Sequence, residues 1–172
     1  SRPPGRARST PAWISIACEG AITSSYPDDR STIVRLLNEA LATELVCVLR
    51  YKRHYFTVSG PNNGALKAEF LEHAQQEQEH ADRIAERIVQ LNGSPNFNPA
   101  TLTARSHAEY DESEDTQAMV RADLIAERVA IESYRQMILA IGDKDPTTKQ
   151  MLIEILAVEE EHADDMHDFL VP

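Results

Sequence analysis

The hexapeptide EQEHAD at residues 77–82 nearly recurs as EEEHAD at 159–164. Each copy places Glu-x-x-His inside a long run whose apolar residues alternate in steps of four and three, the spacing of one helix face. Four such runs are present. The first, about 31–59, carries Leu37, Leu41, Glu44, Val48, Tyr51 and Tyr55; the second, about 64–91, carries Phe70, Ala74, Glu77, Ala81, Ile84, Ile88 and Leu91. The third, about 116–141, carries Val120, Leu124, Glu127, Ile131, Tyr134, Ile138 and Ile141; the fourth, about 147–170, carries Leu152, Leu156, Glu159, Ala163, Met166 and Leu170. Every stripe is interrupted once, near its middle, and always by a glutamate.

The connections arrange these helices. SGPNNG and GDKDP are short, so the first helix is antiparallel to the second and the third to the fourth, with Asp145 capping the last helix and Pro146 in its first turn. The connection at 92–115 is long and polar. A helix of the second run's length is about 40 Å long, and 24 extended residues at ~3.3 Å each span it with slack. The second and third helices are therefore parallel, joined by a crossover. The expected fold is all-α, a four-helix bundle with one long crossover between its second and third helices.

The interval from Glu44 to Glu77 is 33 residues and from Glu127 to Glu159 is 32. The four glutamates thus meet at one depth, related by an approximate two-fold axis. An unpaired carboxylate in a core costs several kcal/mol, and four together also repel one another. No seam position is basic. Two divalent cations would cancel four carboxylates, and His80 and His162, each three residues after a glutamate on the same face, would give each cation one imidazole. Glu44 with His80 is expected to hold one ion, Glu127 with His162 the other, and Glu77 and Glu159 to bridge them. Mixed carboxylate and imidazole ligation suits iron or manganese, while zinc could bind more tightly.

The segments LLNEALATELVCVLRY, EQEHADRIAERI, ADLIAERVAIESY and MLIEILAVEEEHADDM resemble bacterioferritin across the bundle. The resemblance implies a di-iron ferroxidase centre on Glu44, Glu77, His80, Glu127, Glu159 and His162, with two irons per chain. It also implies a site-side tyrosine at Tyr51, O2 or H2O2 as oxidant, and iron storage inside a homo-oligomeric cage. Two departures qualify it. The family's haem methionine directly follows the glutamate of the second helix; Gln78 stands there, so haem is not expected. The sequence also ends directly after the fourth helix and carries an N-terminal extension, traits of the smaller Dps-type shells, which favours a dodecamer over a twenty-four-subunit cage.

A net charge of −11 suits cation ligands and opposes a nucleic-acid surface. Residues 1–30 read as a tail and 31–172 as the bundle. Arg2, Arg6 and Arg8 on that tail offer the alternative, a DNA-protecting shell that binds phosphates by avidity. Cys18 and Cys47 make no disulfide framework, and no apolar run reaches the length of a membrane span; a cytoplasmic setting without membrane contact is expected. Among neighbouring residues, Asp123 could orient His80 or His162, and Tyr51 and Tyr134 could hydrogen-bond ligands. Cys47 reads as a small buried residue and Trp13 as an anchor for the tail. His54, His73, His107 and His167 read as surface groups, with His73 the best of them for an auxiliary entry ligand.

Overall fold

The computed structural model describes residues 22, 23, 26 and 29–170. Four long helices form: α1 (Arg30–Thr57), α2 (Gly64–Gln90), α4 (Thr116–Ile141) and α5 (Pro146–Asp168). Their limits lie within two residues of those read from periodicity. The termini are set by local chemistry. Asp115 caps α4 by accepting from Ala118 N at 2.8 Å, and Asp145 caps α5 by accepting from Thr148 N at 2.9 Å, with Pro146 in the first turn. α2 stops where Asn92 turns left-handed (φ 59°), which lets the Gly93 amide bond back to Ile88 O at 2.8 Å. Gly142, at φ 54°, ends α4.

The crossover, long and polar in sequence, contains a short helical piece. Asn98 accepts from Ala100 N, and Pro99 starts a 3₁₀ turn, Pro99–Thr101, that runs into α3, Leu102–Arg105. The crossover lies along α1: Asn96 N donates to Asn38 Oδ1, His107 N to Thr43 Oγ1, and Arg50 donates to Glu109 O. Sequence numbers rise together in these pairs, so the crossover runs with α1 and against α2. It returns the chain to the end where α2 began, and α2 and α4 are parallel.

Cross-bundle pairs agree. Tyr51 meets Glu127 while Tyr134 meets Glu44, and Arg87 meets Thr148 while His73 meets Asp165. α1 is antiparallel to α4, and α2 to α5. Two apolar cores fill the bundle. One, around Leu37, Leu41, Ile84, Ile88, Tyr134, Ile141 and Leu152, occupies the end nearest the α4–α5 turn. The other, around Tyr51, Leu66, Phe70, Met119, Val120 and Met166, occupies the opposite end. Between them lies a polar layer. Tyr26, just before α1, donates to Asp145 Oδ1 at 2.9 Å and ties the chain's entry to the α4–α5 turn. Among the described residues no helix is long and apolar enough to cross a membrane. Trp13, Cys18 and the tail arginines Arg2, Arg6 and Arg8 lie outside the described residues.

Candidate metal centre

The polar layer is made by the six side chains singled out in sequence. Glu44 comes from α1, Glu77 and His80 from α2, Glu127 from α4, Glu159 and His162 from α5, and all six are buried. Their donor atoms form two quartets: Glu44, Glu77, His80 and Glu159, then Glu77, Glu127, Glu159 and His162, with the atoms of each quartet within 4.8 Å of one another. Glu77 and Glu159 belong to both. Around the first quartet, His80 Nδ1 is 3.4 Å from Glu44 Oε2, 3.4 Å from Glu77 Oε2 and 2.9 Å from Glu159 Oε1. Around the second, His162 Nδ1 is 3.4 Å from Glu77 Oε1, 3.7 Å from Glu159 Oε2 and 3.9 Å from Glu127 Oε2. Donors about 3.3 Å apart are what ~2.0–2.1 Å bonds to a four-coordinate ion require.

Hydrogen bonding sorts these atoms further. Nine buried side-chain nitrogen or oxygen atoms among the described residues have no hydrogen-bond partner, and eight of them belong to this layer. Glu44 and Glu127 contribute one oxygen each, Glu77 and Glu159 both oxygens, and His80 and His162 their Nδ1 atoms. That is four unpartnered donors for each of two ions. Leaving such atoms unpaired costs about 1–3 kcal/mol apiece, more when charged; eight in one layer fit a pair of bound cations.

The second oxygens of Glu44 and Glu127 are occupied. Tyr134, seven residues after Glu127, donates to Glu44; Tyr51, seven after Glu44, donates to Glu127. This reciprocal bracing holds each end glutamate to a single free oxygen. His162 directs Nε2 at Gln76 Oε1, so that the ring, once neutral, keeps its proton on Nε2 and turns the Nδ1 lone pair inward. Gln78, at the position discussed for haem, is exposed and bonds to Asp82. Glu79, Glu160 and Glu161 are exposed, as expected of solvated neighbours.

The layer's electrostatics follow from its burial. Burial and the charge of Glu77 push Glu44 up to about 8, and burial with Glu77 and Glu159 holds Glu127 well above the carboxylate range. Burial would raise Glu77 and Glu159 too, but the neighbouring acids and the His80 and His162 rings close against them hold both below the ordinary value. Burial opposes the charging of His80 and His162, yet their carboxylate partners prevail: His80 is strongly raised and His162 is raised to about 9. His73 is pushed down to about 3 by burial and by His162.

Three expectations for nearby residues need correction. Asp123 does not reach His80 or His162, nor is it solvated. It is buried and accepts from Arg50 Nε at 2.7 Å and pairs with His54 Nδ1 at 2.8 Å. His54 is not a surface group but is clamped between Asp123 and Asp111. His73 is also buried, with Nδ1 3.2 Å from Tyr51 Oη. Arg50, fully buried one layer from the glutamates, was missed altogether. Arg50 falls off the apolar stripe of α1, and only the packing of α4 on α1 reveals its partner. His107 and His167 are exposed as expected. Cys47 is buried, contacts Arg50 Nη2 at 3.4 Å and has no cysteine partner among the described residues.

A model of the ferritin-like domain family matches residues 34–171. Over 147 residues the chain is 31% identical to a nutrient stress-induced DNA-binding protein of Synechococcus sp., covering 83% of this chain and 82% of that one. It is 31% identical to a bacterioferritin of Brucella melitensis, covering 77% and 78%. In structure it is similar to the dodecameric thioferritin of Bacteroides fragilis, a bacterioferritin-related protein, with a TM-score of 0.79, 33% identity and coverage of 83% and 86%.

Proposed function

The chain belongs to the ferritin-like family, and from that premise and the donor set of its polar layer we propose that it is a ferroxidase, oxidising Fe(II) to Fe(III) at an intrasubunit pair of sites and storing the product in a cage. The carrying observation is the partition of eight unpartnered donor atoms into two sets of four sharing Glu77 and Glu159. In this reading Glu44 and His80 hold one ferrous ion, Glu127 and His162 the other, and Glu77 and Glu159 span both. Two ferrous ions held there supply one electron each to O2 or H2O2. The residues do the rest. Tyr134 and Tyr51 keep the end glutamates single-toothed, the shared glutamates hold the two sites at a fixed spacing, and the apolar cores above and below keep bulk water out.

A relative and the surface both support the cage. Phe56, Ile125 and Leu139 stand mostly exposed on one chain, which suits burial between subunits. A dodecamer is favoured, since the structurally similar thioferritin is dodecameric; native mass measurement decides. Anaerobic titration is expected to show two Fe(II) per chain. Glu127→Ala, which removes one end ligand, is expected to assemble normally and lose rapid Fe(II) oxidation. A variant oxidising iron at the parental rate would overturn the assignment.

A second reading is a DNA-protecting shell, favoured by the DNA-binding relative from Synechococcus. Arg2, Arg6 and Arg8, repeated over many subunits, would touch phosphates while the acidic body faces away. Retardation of duplex DNA at low salt, lost when residues 1–8 are deleted, would establish it; no retardation at any protein excess removes it.

A further inference from the structure

Glu69, His73 and Asp165 form a third cluster, which shares no side chain with the two quartets. Glu69 sits one turn before His73 on α2, and Asp165 comes from α5. Their carboxylate oxygens converge on one nitrogen: His73 Nε2 is 3.5 Å from Glu69 Oε2 and 3.3 Å from Asp165 Oδ2. The ring is buried, while the two carboxylate side chains are 33% and 42% exposed. The cluster is thus closed on the imidazole side and open to solvent on the carboxylate side.

The hydrogen bonds on the far side of the ring set its tautomer. Tyr51 donates its phenol proton to Glu127, so its oxygen is left to accept, and His73 Nδ1 at 3.2 Å is the donor. A neutral ring that donates through Nδ1 presents a lone pair at Nε2. That lone pair then faces two carboxylate oxygens, at 3.5 and 3.3 Å, with no proton of the ring between them. A divalent cation satisfies all three, since oxygen and imidazole donors at this spacing match ~2.1 Å bonds. Glu72 beside Glu69, and Glu161, Asp164 and Asp168 beside Asp165, make the approach acidic.

We propose that Glu69, His73 and Asp165 form a mononuclear divalent-cation site at the α2–α5 surface, which receives ferrous iron on its way to the dinuclear centre. Proximity supports the transit role. The His73 ring stacks on His162 with centroids 4.0 Å apart, and Tyr51 links His73 to Glu127 by hydrogen bonds. The cation class rests on the three donors alone; the transit role rests on the ferroxidase reading.

Zn(II), which does not change oxidation state, is the probe. The full-length protein at saturating Zn(II) is expected to hold three ions per chain, with an anomalous peak among Glu69, His73 and Asp165. Glu69→Gln with Asp165→Asn should lose that peak and keep the pair between Glu77 and Glu159, whereas Glu127→Ala should retain it. Absence of the third peak while the dinuclear positions fill overturns this site and leaves the ferroxidase reading intact. A third peak with no ions at the shared glutamates supports this site and overturns the other. For transit, the Glu69→Gln/Asp165→Asn variant should oxidise sub-saturating Fe(II) about tenfold more slowly, the scale of acidic focusing; an unchanged initial rate overturns the transit role.

Discussion

Loading the dinuclear centre should expel protons, and their number follows from the charges in the polar layer. Before a cation arrives, burial and Glu77 hold Glu44 up at about 8, and Glu127 stands well above the carboxylate range. Glu77 and Glu159 stay ionised, His162 is raised to about 9 and His80 is raised further. At pH 7 the layer therefore holds two carboxylates, two carboxylic acids and two imidazolium rings, a net charge of zero. Four carboxylates, two neutral rings and two divalent cations also sum to zero. The two states are related by exchange of four protons for two cations, with no change in the charge of the buried layer. Proton affinities raised above pH 7 mean protons bound at pH 7, so cation affinity must fall as pH falls. The product of the two binding constants should drop about 10⁴-fold per unit between pH 7 and 6, one decade for each proton displaced. Toward pH 9 the dependence should flatten, because Glu44 and then His162 release their protons unaided. Calorimetric titration of Zn(II) into the full-length protein, in buffers of different ionisation enthalpy at pH 7, counts the protons directly. About four per bound pair are expected, short of four by only ~0.1 because a group titrating near 8 is ~90% protonated at pH 7. Two ions bound with one proton or fewer released would refute the charge assignment of the layer.

Three other perturbations test the surroundings of the centre. Asp123→Ala strands the buried Arg50 charge and should cost about 3–5 kcal/mol, lowering the melting temperature by roughly 10 °C, while Arg50→Met with Asp123→Leu should recover most of that loss in a thermal scan. Tyr134→Phe and Tyr51→Phe each leave an end glutamate oxygen without its donor and should weaken Zn(II) binding by about 10–100-fold, measured by competition with a chelating dye. Gly93→Ala would place a methyl group 2.7 and 2.9 Å from the two Val34 methyls and 3.0 Å from Ile88. It should destabilise the protein by about 1–3 kcal/mol in urea unfolding, without altering cation stoichiometry.

What could be read from sequence, and what could not, divides along the range of the interactions. The four glutamates interrupt stripes of fixed period, so their depth and shared face follow from counting along single helices, and the structure gathers them in one layer. The 3₁₀ turn at Pro99–Thr101 was open to the same local reasoning, since Asn98 before Pro99 is a capping signal. His73 was legible as well: Phe70, His73, Glu77, His80 and Ile84 keep the same alternation of three and four as the stripe chosen for α2. Two overlapping stripes share Phe70, Glu77 and Ile84, and only packing against α5 shows that both are buried. Arg50 and Asp123 lie beyond such counting, because 73 residues separate them and neither falls on a seam. That pair also bears on why the centre can take cations at all. A guanidinium buried one layer from four glutamates could neutralise one of them permanently. Asp123 and the Glu109 carbonyl engage Arg50 instead, a fixed acid for a fixed base. The glutamates are left with no permanent cation of the chain's own, only the protons on His80, His162 and the end glutamates, and those protons can be exchanged for metal ions.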